Sequence, residues 1–334
     1  MGLFRWMLFL VSVIFLSNCQ QANRPEYTKL MGLAQGTTWQ ITYEGSENRK
    51  GAIDSLLLAF DMSLSTYRKD SRITALNENT SSEMDALLQE VVETGIRICQ
   101  ETEGAFDMTV APVVNAWGFG FKNKETITPE LVDSLLQFTG CGQISINGNQ
   151  LVKASDAVLL NVNAIAQGYS VDVVARFLEQ EGIHNYMVEI GGEIKTKGTN
   201  PDGKKWQIGL NKPIDDSLSV KSEIQTVLSL TDLALATSGN YRKFYIENGV
   251  KYSHTIDPRT GYPVEHSLLS ATVVGKSGME ADALATAFMV MGKEKALKFL
   301  ETRPHIQAYF ISEDSFGNYE IDYTPGFEAL FRAD

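Results

Sequence analysis

Residues 143–181 read QISINGNQLVKASDAVLLNVNAIAQGYSVDVVARFLEQE, and they carry both periodicities from which the fold class follows. Within QISINGNQLVKA two short strand-like runs meet at Asn147-Gly148, a dipeptide that accepts the backbone of a tight hairpin. The apolar run that follows feeds a helix over Ser170–Glu181, which Gly182 stops. A hairpin with a separated helix, instead of regular strand-helix-strand units, points to an α+β fold.

The flanks agree. On the amino side TTWQITYEG, residues 37–45, alternates as a strand closed by a glycine turn. Helical spacing appears over Ala52–Phe60 and over Met84–Gln100, where Leu87, Leu88, Val91 and Val92 recur on one face. On the carboxyl side Tyr186–Ile190, Lys205–Leu210, Ile224–Leu230 and Val250–Ile256 read as strands. No repeat or internal linker interrupts the body, so residues 30–334 are expected to form a single compact body of one or two subdomains.

The 334 residues, 43% hydrophobic and 10% aromatic, can bury a core. A formal net charge of -12 argues against a nucleic-acid surface, which needs clustered Lys and Arg. The start, MGLFRWMLFLVSVIFLSNCQ, has Arg5 and then an apolar run from Trp6 to Leu16 too short to span a bilayer. It ends in Leu16-Ser17-Asn18-Cys19, like a bacterial lipobox. The expectation is a lipoprotein signal peptide over 1–18, lipidation of Cys19 and a tether over 19–29. The domain would then sit in the bacterial cell envelope, lipid-anchored to a membrane and outside the cytoplasm on the periplasmic side. Cys99 and Cys141 remain; two cysteines in an oxidising compartment can pair, but nothing in their spacing says so. No CxxC occurs and the four histidines are scattered, which argues against zinc.

The most pointed stretch is SGMEADALATAFMVMG, residues 277–292, a small-residue helix opened by Ser277 and Glu280 in capping-box spacing. Asp282 and Thr286 lie four apart and so share one face. The plain reading is a carboxylate favoured by the helix dipole and a packed Thr. The sharper one is a hard cation held by oxygen donors in a confined site, which the alanines would allow another backbone to approach. GAFDMTVAPVVNAWGFG, residues 104–120, sets Asp107 among aromatics and glycines, a slot for a planar ring or else a core strand and turn. Asn161 to Asp172 offers a strand-to-helix junction that can hold phosphate or metal-bound oxygens, and Glu189-Ile-Gly-Gly-Glu193 a backbone nest or a plain hairpin. In KYSHTIDPRTGYPV, residues 251–264, alternation puts Tyr252, His254 and Ile256 on one face, with His254 a structural residue or a proton carrier. Thr237, Ser238 and Arg242 are placed in a loop.

In chain order, GAFDMTVAPVVNAWGFG, AIAQGYSVD, ATSGNYR, YSHTIDPRTGYPV and ADALATAF resemble the ApbE family of FAD:protein FMN transferases, over roughly Met31 to Leu297. The resemblance implies an α+β, mostly antiparallel sheet with flanking helices. It implies a Mg²⁺- or Mn²⁺-dependent enzyme that takes FAD as substrate, moves FMN to a Thr or Ser hydroxyl of an exported flavoprotein and releases AMP. Such an acceptor would be a subunit of a membrane redox complex. Position by position, it implies flavin-nucleotide contacts at Met31, Tyr67, Ala105, Phe106, Asp107, Asn161, Gln167 and Ile256. It implies metal ligation by the Ala164 carbonyl, Asp282 and Thr286, aided by the Ala285 position, and proton removal by His254. The family commonly has Lys or Glu at Gln167 and often Asp at Asn161, so this chain puts two amides where chargeable groups stand. The rival functions are an FAD pyrophosphatase that gives free FMN and AMP, and a lipid-anchored flavin binder without turnover.

Overall fold

The computed structural model describes residues 25–332 apart from 121–123, 214–222, 241–243 and 248–249. The signal peptide, Cys19, the first part of the tether and Arg242 lie outside the described residues. The amino-terminal half contains β1 (Tyr27–Ala34), β2 (Thr37–Glu44), α1 (Lys50–Leu64), α2 (Arg72–Asn77), α3 (Ala86–Glu101), α4 (Ala111–Ala116) and α5 (Pro129–Leu136). Next come β3 (Ile144–Asn147), β4 (Gln150–Lys153), α6 (Ala166–Gln180), β5 (Tyr186–Ile190), β6 (Glu193–Lys197), β7 (Trp206–Asn211), β8 (Ile224–Leu230) and β9 (Ala234–Gly239). The chain continues through β10 (Phe244–Glu247), β11 (Val250–Ser253), β12 (Leu268–Gly275), α7 (Gly278–Met291), α8 (Lys293–Leu300), β13 (Gln307–Glu313) and β14 (Tyr319–Tyr323).

Eight strands form one sheet in the order β1-β2-β5-β6-β9-β12-β13-β14, antiparallel at each step, as the α+β reading expects. Alternation along each strand gives the sheet two apolar faces. One face packs Trp39 and Ile41 of β2 against Ile53 and Leu57 of α1 and Val174 and Leu178 of α6. Further along that face, Ala271 and Val273 of β12 meet Ala281, Ala285 and Phe288 of α7. The other face packs Leu235, Val274 and Ile311 against Ile208 and Leu228 of the β7-β8 hairpin. Eleven of the 14 residues of α7 are buried, so its apolar circumference belongs to a helix enclosed on every side.

The hairpin over 144–153 forms as its sequence requires, with Asn147 opposite Gln150 and Gly148 at φ +63°. Elsewhere tertiary contacts move the boundaries. The fold starts at Tyr27, where β1 pairs with β2, three residues before Leu30. Helix α6 begins at Ala166, four residues before Ser170, because a partner from α7 satisfies its first turn. Residues 111–116 are a helix with Pro in its first turn in place of a core strand. Thr237 and Ser238 lie on β9 and not in a loop; β12 supplies the ladder that a local reading cannot see. Strand β11 stops at Ser253, so the alternation that joined Tyr252 to His254 and Ile256 is broken at the bend.

Cys99 in the last turn of α3 is bonded to Cys141 after α5, with 5.7 Å between Cα atoms. This closes a loop of sequence separation 42 and ties the 104–120 segment between two fixed points. Reduction, or Cys99→Ser, is expected to cost about 2–4 kcal/mol of unfolding free energy. Denaturant titrations with and without reductant measure it, and identical midpoints would contradict a structural role for the bond.

Candidate active site

Helices α6 and α7 cross with almost no side chain between them. A Cβ added to Gly168 would lie 2.1 Å from the Gly278 carbonyl oxygen, and one added to Gly278 would lie 2.4 Å from the Gly168 carbonyl oxygen. Only glycine fits either position. This approach brings each helix's amino-terminal turn onto an aspartate of the other. Gly168 N–H donates to Asp282 Oδ2 at 2.9 Å, while Ser277 Oγ and Met279 N–H both donate to Asp172 Oδ2 at 3.0 Å. Lys195 Nζ on β6 stands 3.1 Å from Asp172 Oδ1 and also donates to the Lys276 carbonyl. Asp172 is thus neutralised, whereas Asp282 meets an amide and a helix amino terminus. Ser277 caps α7 through Glu280 N–H, but the Glu280 side chain goes to Arg97 at 3.1 Å, so only half of a capping box forms.

Asp282 is 6% exposed, and loss of water pushes its carboxyl up to about 7 against the pull of the Gly168 amide. A stripped carboxylate of this kind is stabilised by a cation. One turn on, the Thr286 hydroxyl is half-buried and 3.0 Å from Ser238 Oγ of β9. Across the gap Gly168 N–H, whose helical acceptor would be the Ala164 carbonyl, turns to Asp282, and the α6 ladder begins with Tyr169 N–H to Ile165 O. The Asp282 carboxylate, the Thr286 hydroxyl and the Ala164 carbonyl are hard oxygen donors, of the kind that could hold Mg²⁺ or Mn²⁺. Among the described residues no group of three or more His, Cys, Asp or Glu side chains converges, so a cation here would depend on such mixed donors.

The remaining expected residues gather in part. Gln167 lies against the β5-β6 turn, where a Cβ on Gly191 would be 2.3 Å from its Nε2. Asn161 N–H donates to the Met108 carbonyl at 2.7 Å, joining the 104–120 segment to the α6 entry loop. Thr66 Oγ1 reaches Asn163 Oδ1 at 3.5 Å and brings the neighbouring Tyr67, 73% exposed, to that loop. Ala105 and Phe106 are buried in the core, so they can offer a ligand only backbone groups. Asp107 accepts from Thr109 N–H and Oγ1 at 2.7 Å, and burial raises its carboxyl. Its Oδ2 is buried without a hydrogen-bond donor. The His254 ring is half-buried, its centroid 6.4 Å from that of Phe119. Ile256 is buried with Val113 and Trp117, whose Nε1 donates to the Gly261 carbonyl at 2.8 Å. Met31 is 62% exposed on edge strand β1. Ala285 has its methyl in the core and brings no side-chain oxygen.

Sequence reading missed the Gly168 amide, the Asp172 and Lys195 pair and the hydroxyl contact of Ser238. The one available signal was glycine at positions 168 and 278 inside helical patterns, which marks close backbone approach. Gly168→Ala is expected to destabilise the fold by about 3 kcal/mol, because its methyl would meet a carbonyl and the Asp282 Cβ. Chemical denaturation measures this, and an unchanged midpoint would refute the close crossing.

A family model described as the ApbE family matches residues 35–310. A Vibrio cholerae protein named FAD:protein FMN transferase is 41% identical over 327 residues, covering 94% of this chain and 96% of its own. A solved structure titled flavin transferase ApbE from Vibrio cholerae superposes with a TM-score of 0.81 at 38% identity, over 92% of this chain and 100% of that one. The flavinyl transferase ApbE of Pseudomonas stutzeri also gives 0.81, at 34% identity over 93% and 98%.

Proposed function

The chain belongs to the ApbE family, and on that footing we propose that it is an FAD:protein FMN transferase acting on a Thr or Ser hydroxyl of an exported flavoprotein, with release of AMP. The observation that carries the reading to these residues is Asp282: a buried carboxylate on the helix face it shares with Thr286, accepting from Gly168 N–H in the first turn of α6. Asp282, Thr286 and the Ala164 carbonyl would hold Mg²⁺ or Mn²⁺. When bound, the cation supplies charge neutralisation for the pyrophosphate, which an acidic protein otherwise repels.

The chain's own residues do the rest. The amide of Gln167 and the loop at Asn161 border the nucleotide without adding charge. The 104–107 segment and Tyr67 flank the loop at the flavin end, held there by the Asn161 and Asn163 contacts. In the transfer, the acceptor hydroxyl oxygen bonds to the FMN phosphorus and the bond from that phosphorus to the AMP oxygen breaks. The hydroxyl proton passes to His254, the one imidazole on the turn that packs against Phe119.

Incubation with FAD, Mg²⁺ and an acceptor flavoprotein domain should add an FMN-sized mass to the acceptor and release AMP. Free FMN and AMP without that gain would make the chain a pyrophosphatase, and unchanged bound FAD would make it a binder. Asp282→Asn keeps an acceptor for Gly168 N–H, so the variant should fold. It should lose transfer on the order of a hundredfold, the scale set by removing one group that stabilises transition-state charge. Chelation should stop the wild type and added Mg²⁺ restore it; full transfer by Asp282→Asn, or insensitivity to chelation, would sink the metal assignment.

The leader pattern and the Cys99–Cys141 bond support a location outside the cytoplasm, with a lipid anchor at Cys19. A redox-complex subunit in the same membrane fits that location as acceptor. Cys19→Ala should move the protein from the membrane fraction to the soluble fraction, and retention in the membrane would refute lipid anchoring at this residue.

A further inference from the structure

Strand β9 is paired unequally on its two sides. Toward β12 the ladder runs its full length, from Ala234 opposite Gly275 to Gly239 opposite Ser270. Toward β6 it holds only Ala234 opposite Lys195 and Leu235 opposite Ile194. The cause is the Gly191-Gly192 turn, which joins β5 to β6 and lets β6 begin only at Glu193. Past Leu235, therefore, no strand among the described residues lies beside this edge of β9.

The direction of the backbone groups follows from two bonds. Asn240 N–H donates to Leu269 O on the β12 side, and Leu233 O accepts from Thr196 N–H on the β6 side. Successive residues of an antiparallel strand alternate sides, so Thr237 and Gly239 aim both N–H and C=O at the open edge. A cleft of about 280 Å³ adjoins this edge, its wall including Gly191, Gly192, Thr237, Thr272 and Asn211.

Side chains alternate as well. Ser238, between the two outward residues, presents its hydroxyl to Thr286 at 3.0 Å, while Thr237 faces the opposite way and bonds Thr272. Residues directly opposite across an antiparallel pair share one face. In a strand added to this edge, the residue opposite Ser238 would point where Ser238 points, at Thr286 and the Asp282 site.

We propose that the open edge of β9 over Thr237–Gly239 binds the acceptor polypeptide as an added strand, with the residue opposite Ser238 carrying the hydroxyl that receives FMN. This rests on the transferase reading above. Two peptide groups in extended register match a polypeptide, and the absence of a side chain at Gly239 lets its backbone close in. The edge is continuous with the reaction site through Ser238 and Thr286.

Thr237→Pro tests the edge, because it removes an outward N–H and leaves the β12 ladder its own donors. Using an acceptor domain that the wild type flavinylates, the KM for acceptor should rise roughly tenfold or more. FAD affinity, read by flavin fluorescence, should stay close to wild type. In hydrogen exchange of the wild type with FAD, adding acceptor should slow the amides of Thr237 and Gly239. An unchanged acceptor KM in a folded Thr237→Pro variant overturns the proposal. Should that variant not fold, the exchange experiment decides alone, and unchanged exchange at Thr237 and Gly239 overturns it. Slowed exchange caused by the chain's own concentration, without acceptor, would assign the edge to a second copy and also overturn it. Absence of any mass gain on the acceptor with wild-type protein is a separate result, which removes the transferase reading itself.

Discussion

The reciprocal crossing of α6 and α7 is the constraint on which the site depends. Each helix presents an aspartate to the other's amino-terminal turn, Asp282 to Gly168 and Asp172 to Ser277 and Met279. Oriented backbone amides and the helix dipole favour both carboxylates. The two are not equivalent, however. Lys195 neutralises Asp172, which becomes a fastener between helices, while burial leaves Asp282 with a raised pKa. Glycine at 168 and 278 is the steric condition for both contacts.

Around this crossing the sheet acts as a frame. β9 lies beneath α7 and brings Ser238 to Thr286, and the hairpin from β5 to β6 brings its glycine turn to Gln167. The disulfide and the Met108 to Asn161 bond fasten the 104–120 segment to the same place. Residues from five separated stretches thus converge because an antiparallel sheet with a short β6-β9 ladder leaves one strand edge beside the helix crossing. Incomplete pairing is costly unless something covers it, and the proposed acceptor strand would cover this edge.

Much of this was legible in the linear sequence where the cause is local. The hairpin at Asn147-Gly148, the helix from Ser277 and the strands at Tyr186–Ile190 and Ile224–Leu230 follow from turn chemistry, capping and alternation. Asp282 and Thr286 could be placed on one face from helical spacing alone. Where the cause is remote, reading failed: the helix starts at Ala166 because Gly168 N–H in its first turn finds Asp282, 114 residues further on, and Thr237 belongs to a strand because β12 pairs with it.

By itself, then, the sequence determined the α+β class, the acidic net charge and the family, since composition, periodicity and ordered motifs are properties of the chain as written. Tertiary structure alone decided that Cys99 bonds Cys141, that Gly168 donates to Asp282, that Glu280 turns to Arg97, and that the β6-β9 ladder stops at Leu235. Each of these is a contact between residues far apart in sequence. Local backbone preferences carry no information about such contacts until packing brings the partners within reach.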